Sequence, residues 1–221
     1  MPALLFGSIS SVADTSELQR AAFNDAFAQH GLDWTWDRDE YRSRLSKAGG
    51  RDRIAAYAEE RGEQVDADAV HATKSALFQQ RLAAGGVSAR PGVVDSIRAA
   101  KEAGFKVGLV TTTSRDNVDG LLGALTPALS RDDFDVVIDR ERVSAPKPDP
   151  EAYRTALAEI GEEPGSAVAV EDNPDGAGSA RAADVTVIAF PNENTAGADF
   201  GSVAEQVDAI DFADVRRLVA A

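Results

Sequence analysis

The chain has no cysteine and a single methionine, so disulfides, thiol nucleophiles and thiolate metal sites are excluded together. Histidine is nearly as scarce: His30 and His71 are the two in the chain, and both fall in predicted helices. No Ser/His/Asp arrangement assembles around either, so both read as structural. No apolar run approaches the ~20 residues of a membrane-spanning helix, and no basic leader opens the chain. A cytoplasmic location is the default expectation. Positive charge is in deficit, with 23 Lys and Arg against 37 Asp and Glu, a net charge of −14. That balance argues against nucleic acid and anionic membrane as partners. A pocket for small anions would have to be local.

What is present is ordinary for a globular protein: 221 residues, 43% hydrophobic and 27% charged. The length suits one large domain, or a core with a smaller insert, and suffices to bury a sizeable core. The apolar run over residues 3–6 reads as a buried parallel strand ending at Gly7. Ser16-Glu17-Leu18-Gln19 then forms a capping-box pattern. Leu18, Ala22, Phe23, Ala26 and Phe27 follow at helical spacing. Further helices are predicted over 38–45, 51–61 and 67–82, separated by Gly49-Gly50 and Gly62, with no strand between them.

From Pro91-Gly92 onward helix and strand alternate. Helices are predicted over 93–103, 115–125 and 174–183, and strands over 106–111, 134–138, 168–170 and 185–190. Asp149-Pro150 opens another helix, with Asp as N-cap and Pro at the first helical position. Ser202 to Glu205 is a second capping-box pattern near the C-terminal helical region. The alternation predicts an α/β fold, a doubly wound parallel sheet with helices on both faces. Residues 1–14 and 91–221 would form that core, and residues 15–90 an all-helical insert.

In open sheets of this kind ligands bind beyond the carboxyl ends of the strands. Thr111, Thr112, Thr113 and Ser114 offer hydroxyls and free N–H groups that suit a phosphate, or simply cap a helix. Lys147 lies between Pro146 and Pro148, which hold the segment extended and aim the side chain at an anion or carboxylate. The alternative is a surface lysine. Glu171-Asp172-Asn173 follows the next strand, either as hard oxygen ligands for Mg²⁺ or as an acidic helix cap.

Taken in order, these strand-end residues resemble the haloacid dehalogenase-like (HAD) superfamily, and the insert resembles its C1 cap. The resemblance covers nearly the whole chain. Tyr41-Arg42-Ser43-Arg44-Leu45 and Gly49-Gly50-Arg51-Asp52-Arg53-Ile54 are similar to the cap of the CbbY-type sugar-bisphosphate phosphatases, and Asp14-Thr15-Ser16-Glu17 to the segment leading into it. The resemblance implies a small phosphorylated metabolite as partner. Thr111, with Thr112 beside it, would bind the phosphoryl group. Lys147 would stabilise its charge, Glu171 and Asp172 would position Mg²⁺, and Arg51 and Arg53 would hold the distal end of a phosphorylated sugar.

The strand-one loop departs from the family pattern, Asp-x-Asp-Gly-Thr, whose first Asp is the nucleophile and whose second is the general acid and base. Gly7 and Ile9 stand in their places, and Ser10-Ser11 in place of Gly-Thr. Losing a covalent nucleophile costs on the order of 10⁶ in turnover. The expectation is therefore a catalytically impaired homologue that binds a phosphorylated metabolite or a protein partner. The alternative is an active Mg²⁺-dependent phosphatase with relocated chemistry.

Strand alternation predicts that Ser8 points away from Gly7 and Ile9, while Asp14 supports the loop. Without the strand-one carboxylate, Mg²⁺ affinity should fall and Lys147 should pair with Glu171 or Asp172. Gly7 should leave room for a water or small anion beside Thr111 and Lys147, and Ile9 should turn an apolar surface toward the insert.

Overall fold

A computed structural model describes residues 1–45 and 49–219. Residues 46–48 and 220–221, which fall inside the expected insert and core spans, lie outside the described residues. A six-stranded, wholly parallel sheet carries the fold, in the order β3-β2-β1-β4-β5-β6. Its strands are β1 (Ala3–Phe6), β2 (Lys106–Val110), β3 (Val136–Ile138), β4 (Ala167–Glu171), β5 (Thr186–Ala189) and β6 (Glu205–Gln206).

The apolar runs are near-continuous because both faces are covered. Leu4, Phe6, Val107, Leu109, Val168 and Val170 pack on one face, under α6 (Val93–Glu102) and α7 (Arg115–Leu125). Ala3, Leu5, Val136, Ile138, Ala167 and Ala169 pack on the other, under α8 (Glu151–Ile160) and α9 (Pro174–Ala182). β1 lies between β2 and β4, so the loop after it stands at the middle of the carboxyl edge.

Between β1 and α6 the described residues form helices and their connections, with no strand among them. After a single turn, α1 (Ile9–Val12), come α2 (Ser16–Gln29), α3 (Arg38–Arg44), α4 (Gly50–Arg61) and α5 (Ala67–Ala83). Phe23, Phe27, Trp34, Trp36 and Tyr41 form their own buried cluster, with the Phe27 and Trp36 rings edge to face at 4.8 Å. Phe78 and Leu82 of α5 are fully buried in the cluster that covers the first sheet face. At ~1.5–3 kcal/mol for each such side chain, α5 is the anchor of this helical segment on the sheet.

Local expectations fail where a side chain finds a better partner. Ser16 is not an N-cap: the Asp14 carboxylate accepts from its backbone N at 3.0 Å and its Oγ at 2.7 Å, so Asp14 organises the turn. Gln19 instead accepts from Lys74 Nζ at 2.8 Å. Pro150, not Asp149, is the residue before α8, and Asp149 accepts from Glu151 N at 2.9 Å. The segment around Lys147 is a turn rather than extended, with a cis Lys147–Pro148 bond and Asp149 N donating to Pro146 O at 3.1 Å. Ser202 to Glu205 caps no helix. Ala204 N and Val207 N donate to Val187 O and Ala189 O, drawing the chain onto the sheet edge as β6. The last helix, α10 (Phe212–Val219), begins later, after Asp211 accepts from Ala213 N at 2.8 Å.

Candidate functional site

β1 stops at Phe6, where Gly7 N donates to Val170 O at 2.9 Å. Strand alternation therefore does not reach Ser8, and the rule that would set it opposite Gly7 and Ile9 does not apply there. Ser8 caps α1: its Oγ accepts from Ser11 N at 2.9 Å, while Ser11 Oγ accepts from Ser8 N at 3.2 Å. The same Ser8 Oγ donates to Asp172 Oδ1 at 2.6 Å, across the edge of the sheet.

Nor does Gly7 leave an open space. A Cβ built on it would overlap the carboxylate of Glu171 and the hydroxyl of Tyr153. A Cβ on Gly176, in the first turn of α9, would overlap the same carboxylate from the other side. Glu171 thus lies fully buried between two glycines. Lys147 Nζ donates to its Oε1 at 2.6 Å and the Tyr153 hydroxyl donates to the same oxygen at 2.7 Å. The expected lysine–carboxylate pair forms with Glu171. Lys147 also donates to Gly7 O at 2.5 Å and Val110 O at 2.8 Å, which uses all three ammonium protons. Glu171 Oε2 is buried with no hydrogen-bond partner among the described residues. Burial pushes the Glu171 carboxyl up, and Lys147 opposes that shift.

Asp172 is held by neutral donors. Besides Ser8, Asn173 Nδ2 donates to Oδ1 and Asn192 Nδ2 to Oδ2, each at 3.0 Å. Thr195 Oγ1 donates to its backbone carbonyl at 2.6 Å. Thr111 is buried at the end of β2, its Oγ1 accepting from Thr113 N at 3.2 Å. Ser114 is the N-cap of α7, as one reading of this run allowed.

These residues share a cavity of about 650 Å³ whose lining includes Gly7, Ser8, Ile9, Thr111, Thr112, Lys147 and Asp172 from the sheet edge. Its other wall is helical, with Gln19, Tyr41, Arg51, Arg53, His71 and Lys74. The strand-end residues and the two arginines of the sequence reading are therefore brought together around one space, except that Glu171 is sealed behind it. A larger surface groove, about 850 Å³, follows residues 85–91 and reaches Asp14 and Asp208, but contains none of the strand-end motifs apart from Asn192 at its rim.

The helical wall is unlike the strand-end wall. Arg51 is exposed and paired with Asp52 and Asp68. Arg53 is half-buried, and burial disfavours its charge while Tyr41 and Asp175 support it. Lys74 is 3% exposed, with Nζ 4.7 Å from the centre of the Phe23 ring and 5.1 Å from that of Phe78. Burial, with the nearby Arg53 guanidinium adding to it, brings the Lys74 amine down to about 7. His71, also lowered by burial and by these two cations, lines the cavity rather than serving only as packing. Ile9 is buried, in an apolar cluster that also contains Phe78 and Leu82 of α5. Tyr153, Gly176, Asn192, Thr195 and Lys74 were not singled out in the sequence. Only Lys74 carried a usable signal: with Val70, Phe78 and Leu82 it completes a four-residue periodicity, a charge in an otherwise apolar stripe.

Among the described residues, no three acidic or histidine side chains group closely enough to hold a metal ion. No helix among them is long and apolar enough to cross a membrane. The chain matches the family model described as haloacid dehalogenase-like hydrolase over residues 7–184. It is 40% identical to the protein CbbY of Cereibacter sphaeroides over 206 residues, which is 89% of each chain. The crystal structure of CbbY from Rhodobacter sphaeroides in complex with phosphate superposes with a TM-score of 0.86 at 36% identity, covering 95% of both chains. A mutant form of the same protein, crystallised with xylulose-(1,5)bisphosphate, matches equally well.

Proposed function

The chain belongs to the haloacid dehalogenase-like hydrolase family, and from that premise we propose that it binds a small phosphorylated metabolite without aspartyl-phosphate chemistry. One observation carries the reading: the volume beside Gly7, where a strand-one carboxylate would stand, is filled by the protein's own Glu171 and Tyr153. A nucleophile is missing there and so is the room for one. Residues 15–90 act as the C1 cap over a core of 1–14 and 91–221. The hydroxyls of Thr111 and Thr112 meet a phosphate on the core side, and Arg51 and Arg53 meet an anionic group on the cap side. Lys147, with its three protons engaged, acts on the ligand only through the charge it balances.

The family is generally Mg²⁺-dependent, but the donors here do not fit that ion. Mg²⁺ requires near-octahedral oxygen ligation with several waters. Gly7 supplies no carboxylate and its carbonyl is held by Lys147. Glu171 is buried against the same lysine, and both Asp172 oxygens already accept hydrogen bonds.

A second reading rests on the Ser8–Asp172 contact of 2.6 Å. In it Ser8 Oγ attacks phosphorus as its proton passes to Asp172 Oδ1, the P–O bond to the sugar breaks and the leaving alkoxide takes that proton from Asp172. Water then hydrolyses the phosphoserine, restoring Ser8 and releasing inorganic phosphate. The two readings separate in one experiment. Phosphate release is measured from xylulose-1,5-bisphosphate, phosphoglycolate and hexose phosphates, with and without Mg²⁺, for the native protein, Ser8→Ala and the Gly7→Asp/Ile9→Asp double variant. Binding without chemistry predicts no release by the native protein, together with thermal stabilisation by at least one of these compounds. Release that Ser8→Ala abolishes would replace it with the second reading. Absence of both release and stabilisation would end both.

A further inference from the structure

The helical wall of the cavity contains a lysine with no acidic partner. Lys74 is buried, and among the described residues no carboxylate pairs with it; its polar contact is the Gln19 side-chain oxygen at 2.8 Å. The groups that face it are Gln19 and Phe23 from α2, Arg53 from α4, and Phe78 and His71 from α5 itself. The two rings favour the ammonium form. Burial and the adjacent guanidinium favour the neutral amine, and together they outweigh the rings. A desolvated lysine beside another cation, opening on a ligand-sized space, is the arrangement that makes an amine nucleophilic near neutral pH.

We infer that Lys74 is a reactive amine that takes a small anionic aldehyde or ketone as an imine inside this cavity. The nitrogen lone pair adds to the carbonyl carbon, and one N–H proton passes to the oxygen to give a carbinolamine. The C–O bond then breaks, the oxygen leaves as water with the second N–H proton, and a C=N bond remains. No oxidant or reductant is consumed. Arg53 at the same wall supplies the charge that selects an anionic carbonyl compound. The inference goes beyond the binding reading and does not rest on it. Phosphate release by the native protein would end that reading and leave this one untouched.

The test is imine trapping on the native protein with pyridoxal 5′-phosphate followed by borohydride, and in parallel with acetaldehyde and cyanoborohydride. Peptide mass spectrometry then compares Lys74 with the exposed Lys101 in the same sample. At pH 7 Lys74 should be modified roughly tenfold faster or more, because its neutral fraction is larger. Its rate should level off above about pH 7–8, whereas an ordinary lysine amine keeps gaining rate toward pH 10. Trapping by acetaldehyde alone, with that profile, would support the reactive amine but overturn the selection of an anionic carbonyl compound. Lys74 modified no faster than Lys101 by either probe, or with a parallel pH profile, overturns the inference.

Discussion

On the strand-end wall of the cavity the buried lysine, Lys147, has a carboxylate and two backbone carbonyls for its three protons. On the helical wall the buried lysine, Lys74, has one amide oxygen and two aromatic faces. The first is a closed arrangement: its charge is balanced and its donors are used. The second is open, because burial is not offset by a counter-charge. Two lysines of nearly equal burial thus do opposite things. Lys147 stabilises the loop in which the family chemistry normally sits, and Lys74 stores a cost that a ligand can relieve. Partnership, more than burial, decides which wall is structural and which is reactive.

The largest effect should come from breaking the closed wall. Lys147→Ala strips Glu171 of its counter-charge and leaves two carbonyls without a donor, which should cost about 3–5 kcal/mol in denaturant unfolding. In a Glu171→Gln background the same change should cost at least ~1 kcal/mol less, since the buried charge is already gone. Strict additivity of the two changes would mean that the ion pair is not what holds the wall together.

The open wall should respond with the opposite sign. The Lys74 amine titrates lower in the folded chain than the ordinary 10.5, so the folded state takes up its proton less readily than the unfolded state. Its unfavourable contribution is absent above pH 10.5, grows as pH falls to about 7, and is constant below that. Lys74→Met should therefore stabilise the protein by roughly 2–4 kcal/mol at pH 7, after allowance for the lost cation–π contacts. The gain should shrink steadily toward pH 10. A pH-independent difference in Tm between the two proteins would show that Lys74 is charged in both states.

Much of this was legible from residue order alone. The parallel sheet followed from helix–strand alternation after Pro91, and a pair between Lys147 and one of Glu171 and Asp172 from the missing strand-one carboxylates; the structure makes it Glu171. What escaped was set by three-dimensional neighbours. Ser8 turns toward Asp172 because strand alternation does not carry past Phe6 and α1 needs an N-cap. Glu205 joins a strand because β5 offers unpaired carbonyls at the sheet edge, a competition invisible in a four-residue capping pattern. Tyr153 and Gly176 reach the Glu171 carboxylate from the first turns of α8 and α9, each about one helical turn past a residue that carried a sequence signal, so that only their three-dimensional neighbour reveals them.

The smallest predicted effect concerns the residue between the two walls. Gly7 does not have a positive φ, so alanine there meets no backbone strain. Any cost of Gly7→Ala must come from its methyl group, which would overlap the Glu171 carboxylate and the Tyr153 hydroxyl. Overpacking of this kind costs about 1–3 kcal/mol. In a Glu171→Ala/Tyr153→Phe background both obstacles are gone. The same substitution should then be neutral or stabilising, by up to ~1 kcal/mol, through the reduced freedom of the unfolded chain. The sign change is the diagnostic, because an overlap with any other group would persist in that background. If Gly7→Ala is equally destabilising with and without Glu171 and Tyr153, the carboxylate does not fill the strand-one position, and the closed wall loses the feature that sets it apart from the open one.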